Sequence, residues 1–171
     1  TTRIETMLGD VAVAVHPEDP RYKDWVGKEL IHPFIPDRKI VVIADDFVDR
    51  EFGTGAVKIT PAHDPNDYAC GQKHNLNFIN IFTDDGLINE NGGKYQGLKR
   101  FECRRIIEKD LKDLGLLRDK KNNKMRLGLC SRSKDVIEPI IRPQWYVDCS
   151  EISKRMIEAV KTKEIKIIPA E

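Results

Sequence analysis

Short apolar runs punctuate the first half of the chain, each closed by residues that cannot continue a strand. Val11-Ala12-Val13-Ala14-Val15 stops at His16-Pro17, and Ile40-Val41-Val42-Ile43-Ala44 stops at Asp45-Asp46. Ala56-Val57-Lys58-Ile59-Thr60 follows the Gly53-Thr54-Gly55 turn and ends at Pro61. Val- and Ile-rich runs bounded by Gly, Pro and Asp predict strands. Phe78 to Phe82, closed by the Asp85-Gly86 turn, predicts another.

Helical spacing is rarer. Asp64 offers an N-cap, Pro65 the first helical position and Asp67 a first-turn acid, which predicts a helix from Pro65 to about Asn75. Phe101, Ile106, Ile107, Leu111 and Leu114 predict a second from about Lys99 to Leu114, stopped by Gly115. A third spans about Glu151 to Lys161 behind Ser150 as N-cap. The polar, basic stretch from Lys120 to Arg126 reads as a hairpin tip or solvated loop. The picture is an α+β, β-rich domain over 1–142, followed by a connector over 143–171.

Composition narrows the function classes. The chain has 171 residues, 40% hydrophobic and 33% charged, enough for one globular domain with a core. No apolar run approaches the roughly 20 residues of a membrane span, so a cytoplasmic protein is expected. With 29 basic and 28 acidic residues the net charge is +1. That balance argues against a protein held to nucleic acid by phosphate contacts alone, where counterion release demands a basic surface. The four cysteines form no CxxC pair and read as reduced thiols. A start at Thr1-Thr2-Arg3 reads as a piece of a longer enzyme.

Chemistry concentrates between Gly53 and Tyr68, in G-T-G-A-V-K-I-T-P-A-H-D-P-N-D-Y. Lys58, Thr60, His63, Asp64 and Asp67 gather where a strand gives way to a helix. Asp64 and Asp67 are three apart, on one side of the first helical turn. Two acceptor-only carboxylates beside a hydroxyl suit an ammonium ion and a donor. Spacing alone leaves the structural alternative open, with Asp64 a plain N-cap and Asp67 a plain first-turn acid. Gly53-Thr54-Gly55 precedes a strand and lacks a third glycine, so it is no dinucleotide fingerprint. His63, Asp64, Asp67 and His74 match no standard zinc spacing.

Three segments carry a family resemblance. Thr1-Thr2-Arg3-Ile4-Glu5-Thr6-Met7-Leu8-Gly9-Asp10 resembles the T-T-R-P-E-T-M-L-G-D opening of the editing domain inserted in valyl-tRNA synthetases, with Ile4 in place of Pro. The stretch from Gly53 to Tyr68 resembles that domain's second signature. Cys130 to Pro139 and Pro143 to Val147 resemble its exit segment toward the synthetase body. Met7-Leu8-Gly9-Asp10 and Pro65-Asn66 fit the valyl type better than the leucyl or isoleucyl ones.

The resemblance implies a barrel-like β core with peripheral helices. It also implies hydrolysis of threonine from the 3′ end of tRNA(Val), without metal, cofactor or covalent intermediate. A site sized for valine cannot strongly exclude threonine, a pair that is itself the standard example of this limit, so a second pocket must demand the hydroxyl. The implied pocket is Arg3, Thr6, Lys58, Thr60, Asp64 and Asp67, of which Lys58, Asp64 and Asp67 are the catalytic candidates. Asp67 with Asp64 would anchor the α-ammonium, Lys58 and Thr60 would read the hydroxyl, and Arg3 and Thr6 would hold the terminal adenosine and ester. His63 would pack or orient. The partners implied are charged tRNA and the rest of an ATP-using synthetase; the piece itself would be monomeric. No H-I-G-H- or K-M-S-K-S-like segment is present, so aminoacylation by this chain alone is not expected. Two rivals remain: a metal-dependent hydrolase built on His63 and Asp64, and a non-catalytic RNA-binding module.

Overall fold

The structure, a computed structural model, describes residues 1–169; positions 170 and 171 of the predicted connector lie outside the described residues. The chain divides into two compact units, Thr1–Ile141 and Arg142–Glu171. In the first, β1 (Ala12–Val15), β2 (Glu29–Ile31), β3 (Lys39–Ala44) and β4 (Ala56–Ile59) form one sheet in the order β2-β3-β1-β4. β1 runs parallel to β3 and antiparallel to β4, while β2 is antiparallel to β3. The core read as barrel-like is thus a mixed α+β layer whose sheet is open at β2 and β4.

Two apolar clusters hold this unit together. One face of the sheet buries Ala12, Ala14, Ile43 and Ile59 with Val48 and Cys70, the last from α1 (Pro65–Lys73). The other cluster joins Leu8, Ile81, Phe82, Ile88 and Tyr95 to Cys103, Ile107 and Leu111 of α2 (Arg100–Asp113). Each fully buried aliphatic or aromatic side chain contributes about 1.5–3 kcal/mol, so these clusters dominate the stability of the fold. Polar contacts then fix the register. Glu5, fully buried in a short 3-10 helix over Ile4–Gly9, accepts two hydrogen bonds from Arg104 of α2, at 2.7 and 2.6 Å.

Glycine is required where this helix ends. A Cβ on Gly9 would stand 2.9 Å from the Ile79 carbonyl and 3.1 Å from the Thr60 methyl. At Gly71 a Cβ would meet the Pro61 ring at 2.8 Å. These two close approaches press the 3-10 helix and α1 against the segment that joins β4 to α1.

Several expectations shift. Phe78 to Phe82 forms no strand, only a Phe82–Ile88 bridge. The reason lies in its donors: the Ile81 N–H goes to His63 Nε2 and the Phe82 N–H to Asn80 Oδ1, so neither feeds a ladder. β2 carries no apolar pattern, because it is a three-residue edge strand with Ile31 82% exposed. In α2 the buried stripe is Cys103, Ile107 and Leu111, spaced by four, while Phe101 and Leu114 face solvent. Phe101 lies instead under the Arg100 and Arg104 guanidinium groups. The stretch 120–126 is an exposed loop with no strand.

In the second unit, α3 (Ser150–Lys161) starts one residue earlier than the cap reading implies. Asp148 Oδ1 accepts both the Ser150 N–H and its hydroxyl, at 2.9 and 2.5 Å. No residue of α3 is buried, and Ile152, Met156 and Ile157 are exposed. No helix among the described residues is long and apolar enough to cross a membrane.

Candidate active site

A cleft of about 910 Å³ opens beside β4, and Arg3, Thr6, Lys58, Thr60, Asp64 and Asp67 all line it. Residues fifty or more positions apart in the chain therefore share one recess. Among the described residues β4 is an edge strand of the sheet, and Ala56, Val57 and Lys58 on it and the start of α1 line the recess.

The two aspartates have different surroundings. Asp64 is the N-cap of α1, its Oδ1 accepting the Asn66 and Asp67 N–H groups at 2.9 and 3.3 Å. Its Oδ2 stands 3.6 Å from the Arg3 guanidinium. Both oxygens are thus engaged. Asp67 is buried, with Oδ2 accepting the Thr60 N–H at 2.8 Å, and Oδ1 has no hydrogen-bond partner among the described residues. Burial pushes its carboxyl above the usual range, against the Thr60 N–H and Lys58, which pull the other way.

Arg3 is pinned rather than loose. One guanidinium nitrogen meets Glu138 at 2.5 Å and another donates to the His63 carbonyl at 2.6 Å. Glu138 also pairs with Arg100 at 3.1 Å, which links the opening loop to α2. Thr6 donates its hydroxyl to the Arg3 carbonyl at 2.9 Å. Glu138 falls inside the exit segment, and its anchoring part is absent from the motif reading because nothing in local spacing relates it to Arg3.

Beneath Lys58 and Thr60 lies Asp10, a second residue that motif reading passed over. Its Oδ1 accepts the Thr60 hydroxyl at 2.5 Å and the Lys58 ammonium at 3.0 Å, and Lys58 also donates to Thr60 Oγ1. Burial pushes the Asp10 carboxyl up to about 6, although Lys58 and Thr60 both act to lower it. Its place at the end of the T-T-R-I-E-T-M-L-G-D segment is the signal that could have found it.

His63 is buried, with Nε2 accepting the Ile81 N–H at 3.0 Å and its ring edge-on to Phe82 at 5.0 Å. Burial first, and then the Arg3 and Lys58 charges, depress the imidazole to about 4, so it is neutral at pH 7. The Pro139 carbonyl pulls weakly in the other direction, but Nδ1 makes no hydrogen bond of proper geometry. With Nε2 taken by the Ile81 N–H, His63 has only Nδ1 left, and among the described residues His63 and Asp64 belong to no group of three or more ligand-type side chains. Among the described residues, ligand-type atoms converge elsewhere, at Asp45, Cys70 and His74, all within 4.8 Å of one another. There Asp45 already binds His74 Nε2 at 2.7 Å and the Lys73 ammonium at 3.0 Å.

Similarity to known proteins extends along nearly the whole chain. The family model described as leucyl-tRNA synthetase, editing domain, matches residues 25–97. A valine–tRNA ligase of Caenorhabditis elegans is 57% identical over 169 residues, which is 99% of this chain and 16% of that protein. One from Schizosaccharomyces pombe is 58% identical over 170 residues, covering 99% of this chain and 17% of that protein. The chain thus spans about a sixth of the length of these relatives. The crystal structure of GlLeuRS-CP1 shares the fold, with a TM-score of 0.53 at 14% identity over 68% of this chain and 79% of that one. Identity of 57% and 58% sustained along nearly the whole chain, with the editing-domain model matched over residues 25–97, shows that the chain belongs to the synthetase editing-domain family and is of the kind carried by valine–tRNA ligases.

Proposed function

We propose that the cleft hydrolyses the ester of a tRNA mischarged with threonine, as the proofreading part of a valine–tRNA ligase. The observation that carries this reading is the convergence of six residues from two distant segments on one recess, with a buried, half-used carboxylate at Asp67. The free Oδ1 of Asp67 receives the α-ammonium of the substrate. An arriving cation also offsets the desolvation that raises this carboxyl, so binding and ionisation reinforce each other. Asp64 serves as cap and as tether for Arg3 instead of a second anchor. Arg3 and Thr6 form the wall that meets the terminal ribose and ester, and Lys58 and Thr60 meet the side chain.

Water attacks the ester carbonyl, the acyl–oxygen bond breaks, and the proton of the water passes to the departing ribose oxygen. The products are threonine and a free tRNA end. Fixed polar groups act here by holding the ester and water in reactive geometry. The rest of the synthetase carries the body of the tRNA, in keeping with a net charge of only +1.

The test is deacylation of threonyl-tRNA(Val) against valyl-tRNA(Val). Faster turnover of the threonyl ester supports the reading. Binding of tRNA without turnover of either ester sinks it in favour of an RNA-binding module.

A further inference from the structure

Resting on that reading, we propose that Asp10 is a positioning residue, which fixes Thr60 and Lys58 so that the cleft offers one acceptor and one donor to the substrate side chain. Asp10 itself stands behind the lining. It is 5% exposed at the end of the first 3-10 helix, where its N–H is held by the Met7 carbonyl at 3.0 Å. Gly9 allows that helix end to sit against the Thr60 methyl.

The hydrogen-bond inventory decides the polarity. An ionised carboxylate only accepts, so the single proton of the Thr60 hydroxyl points at Asp10 Oδ1. Lys58 has three protons and directs one at Asp10 and one at Thr60 Oγ1. What remains for the cleft is one lone pair on Thr60 and one N–H on Lys58. A hydroxyl, which donates once and accepts twice, satisfies both. A methyl in its place satisfies neither and leaves two desolvated groups stranded, and this asymmetry is what discriminates the two esters. Protonating Asp10 gives it a donor of its own, frees the Thr60 proton to turn into the cleft, and removes the fixed pattern.

The charged groups that face Asp10 are Lys58 on β4, Asp67 on α1 and Arg38 in the turn before β3. A pH profile of one protein would mix their titrations, so Asp10→Asn is the control. Rates of threonyl- and valyl-tRNA(Val) hydrolysis by the 171-residue chain are compared from pH 5 to 8, because their ratio cancels the hydroxide dependence common to both esters. In the unaltered chain the ratio falls as pH drops through about 6. In Asp10→Asn, whose amide oxygen still accepts from Thr60 and Lys58 but does not titrate, the ratio no longer falls as pH drops through about 6; in Asp10→Ala, which has no acceptor, the ratio at pH 7.5 is lower by about tenfold. A pH-independent ratio in the unaltered chain overturns the proposal, and this measurement needs no variant to fold. An Asp10→Ala protein that still hydrolyses the threonyl ester with an undiminished ratio also overturns it, while leaving the proposed hydrolysis intact. A chain that hydrolyses neither ester overturns both.

Discussion

Two carboxylates of similarly low exposure mark two clusters along this cleft, and they differ in how densely they are packed around and in where their donors fall. Asp10 is 5% exposed and Asp45 is 6% exposed. Each has a lysine ammonium at 3.0 Å. Yet Asp10 is pushed up to about 6, whereas Asp45 is held below the usual range. Desolvation is the largest influence on both. At Asp45 it is outweighed by donors from His74, Lys73 and the Phe47 N–H, which spread over both oxygens. At Asp10 both donors crowd onto Oδ1. Depth and the number and placement of donors act together: Asp10 sits in the more densely packed surroundings with its donors on one oxygen, and so it stays poised to titrate near neutral pH. That difference separates the end of the cleft proposed to meet the substrate from the Asp45 end.

The largest effect that would break this division is expected at Asp67, beside the Asp10 cluster. Asp67→Ala should lower kcat/KM for threonyl-tRNA(Val) about 10- to 100-fold, since a charge-assisted contact of about 1.5–3 kcal/mol is removed. Deacylation kinetics check it, and an unaltered kcat/KM would dismiss Asp67 as the ammonium anchor.

Next come the two lysines. Lys58→Met strips Asp10 of its cation and should carry its carboxyl well above its present position, leaving it protonated at pH 7. Lys73→Met leaves Asp45 with His74 and a backbone donor, so it should stay ionised. Carbon-13 titration of the aspartate carboxyls distinguishes the two, and equal behaviour would erase the contrast.

Stability against pH gives a smaller effect with a defined sign. Asp10 binds its proton more tightly when folded, about 6 against 3.8, so it adds stability as pH falls through that window. His63 does the reverse, about 4 against 6.5, and loses stability on acidification. The two nearly cancel between pH 4 and 6. Asp10→Asn removes one partner and should make urea stability fall on acidification by up to about 1.4 kcal/mol per pH unit more steeply than in the unaltered chain.

At the structural end, His74→Ala should cost about 1–3 kcal/mol and leave the threonyl-to-valyl ratio as it was, because only a bond to Asp45 is lost. The smallest expected effect is that of a chelator. EDTA should not change hydrolysis, and inhibition by it would point to a metal on Asp45, Cys70 and His74.

Much of this was legible along the chain. β1, β3 and β4 end within a residue or so of their predicted limits, because Pro and Asp stop a strand wherever it lies. α1 begins where Asp64 and Pro65 say it must. The six pocket residues could be written down from their motifs, and all of them do line the cleft. Asp10 and Glu138 also stand in motif segments, but what each of them holds was not legible there, since their partners stand 48 and 135 positions distant. The non-strand at 78–82 was hidden for a similar reason: the acceptor for the Ile81 N–H is a histidine 18 residues earlier.

What the sequence determines by itself is therefore local. It sets the strand and helix stops, the N-cap, and the kinds of side chain available for chemistry, all governed by backbone geometry within a few residues. Only tertiary structure decides protonation and which oxygens are taken, such as which aspartate has both oxygens engaged and which keeps one open. Those depend on desolvation and on donors delivered from remote segments, and no spacing along one chain encodes how many of them arrive at a given oxygen.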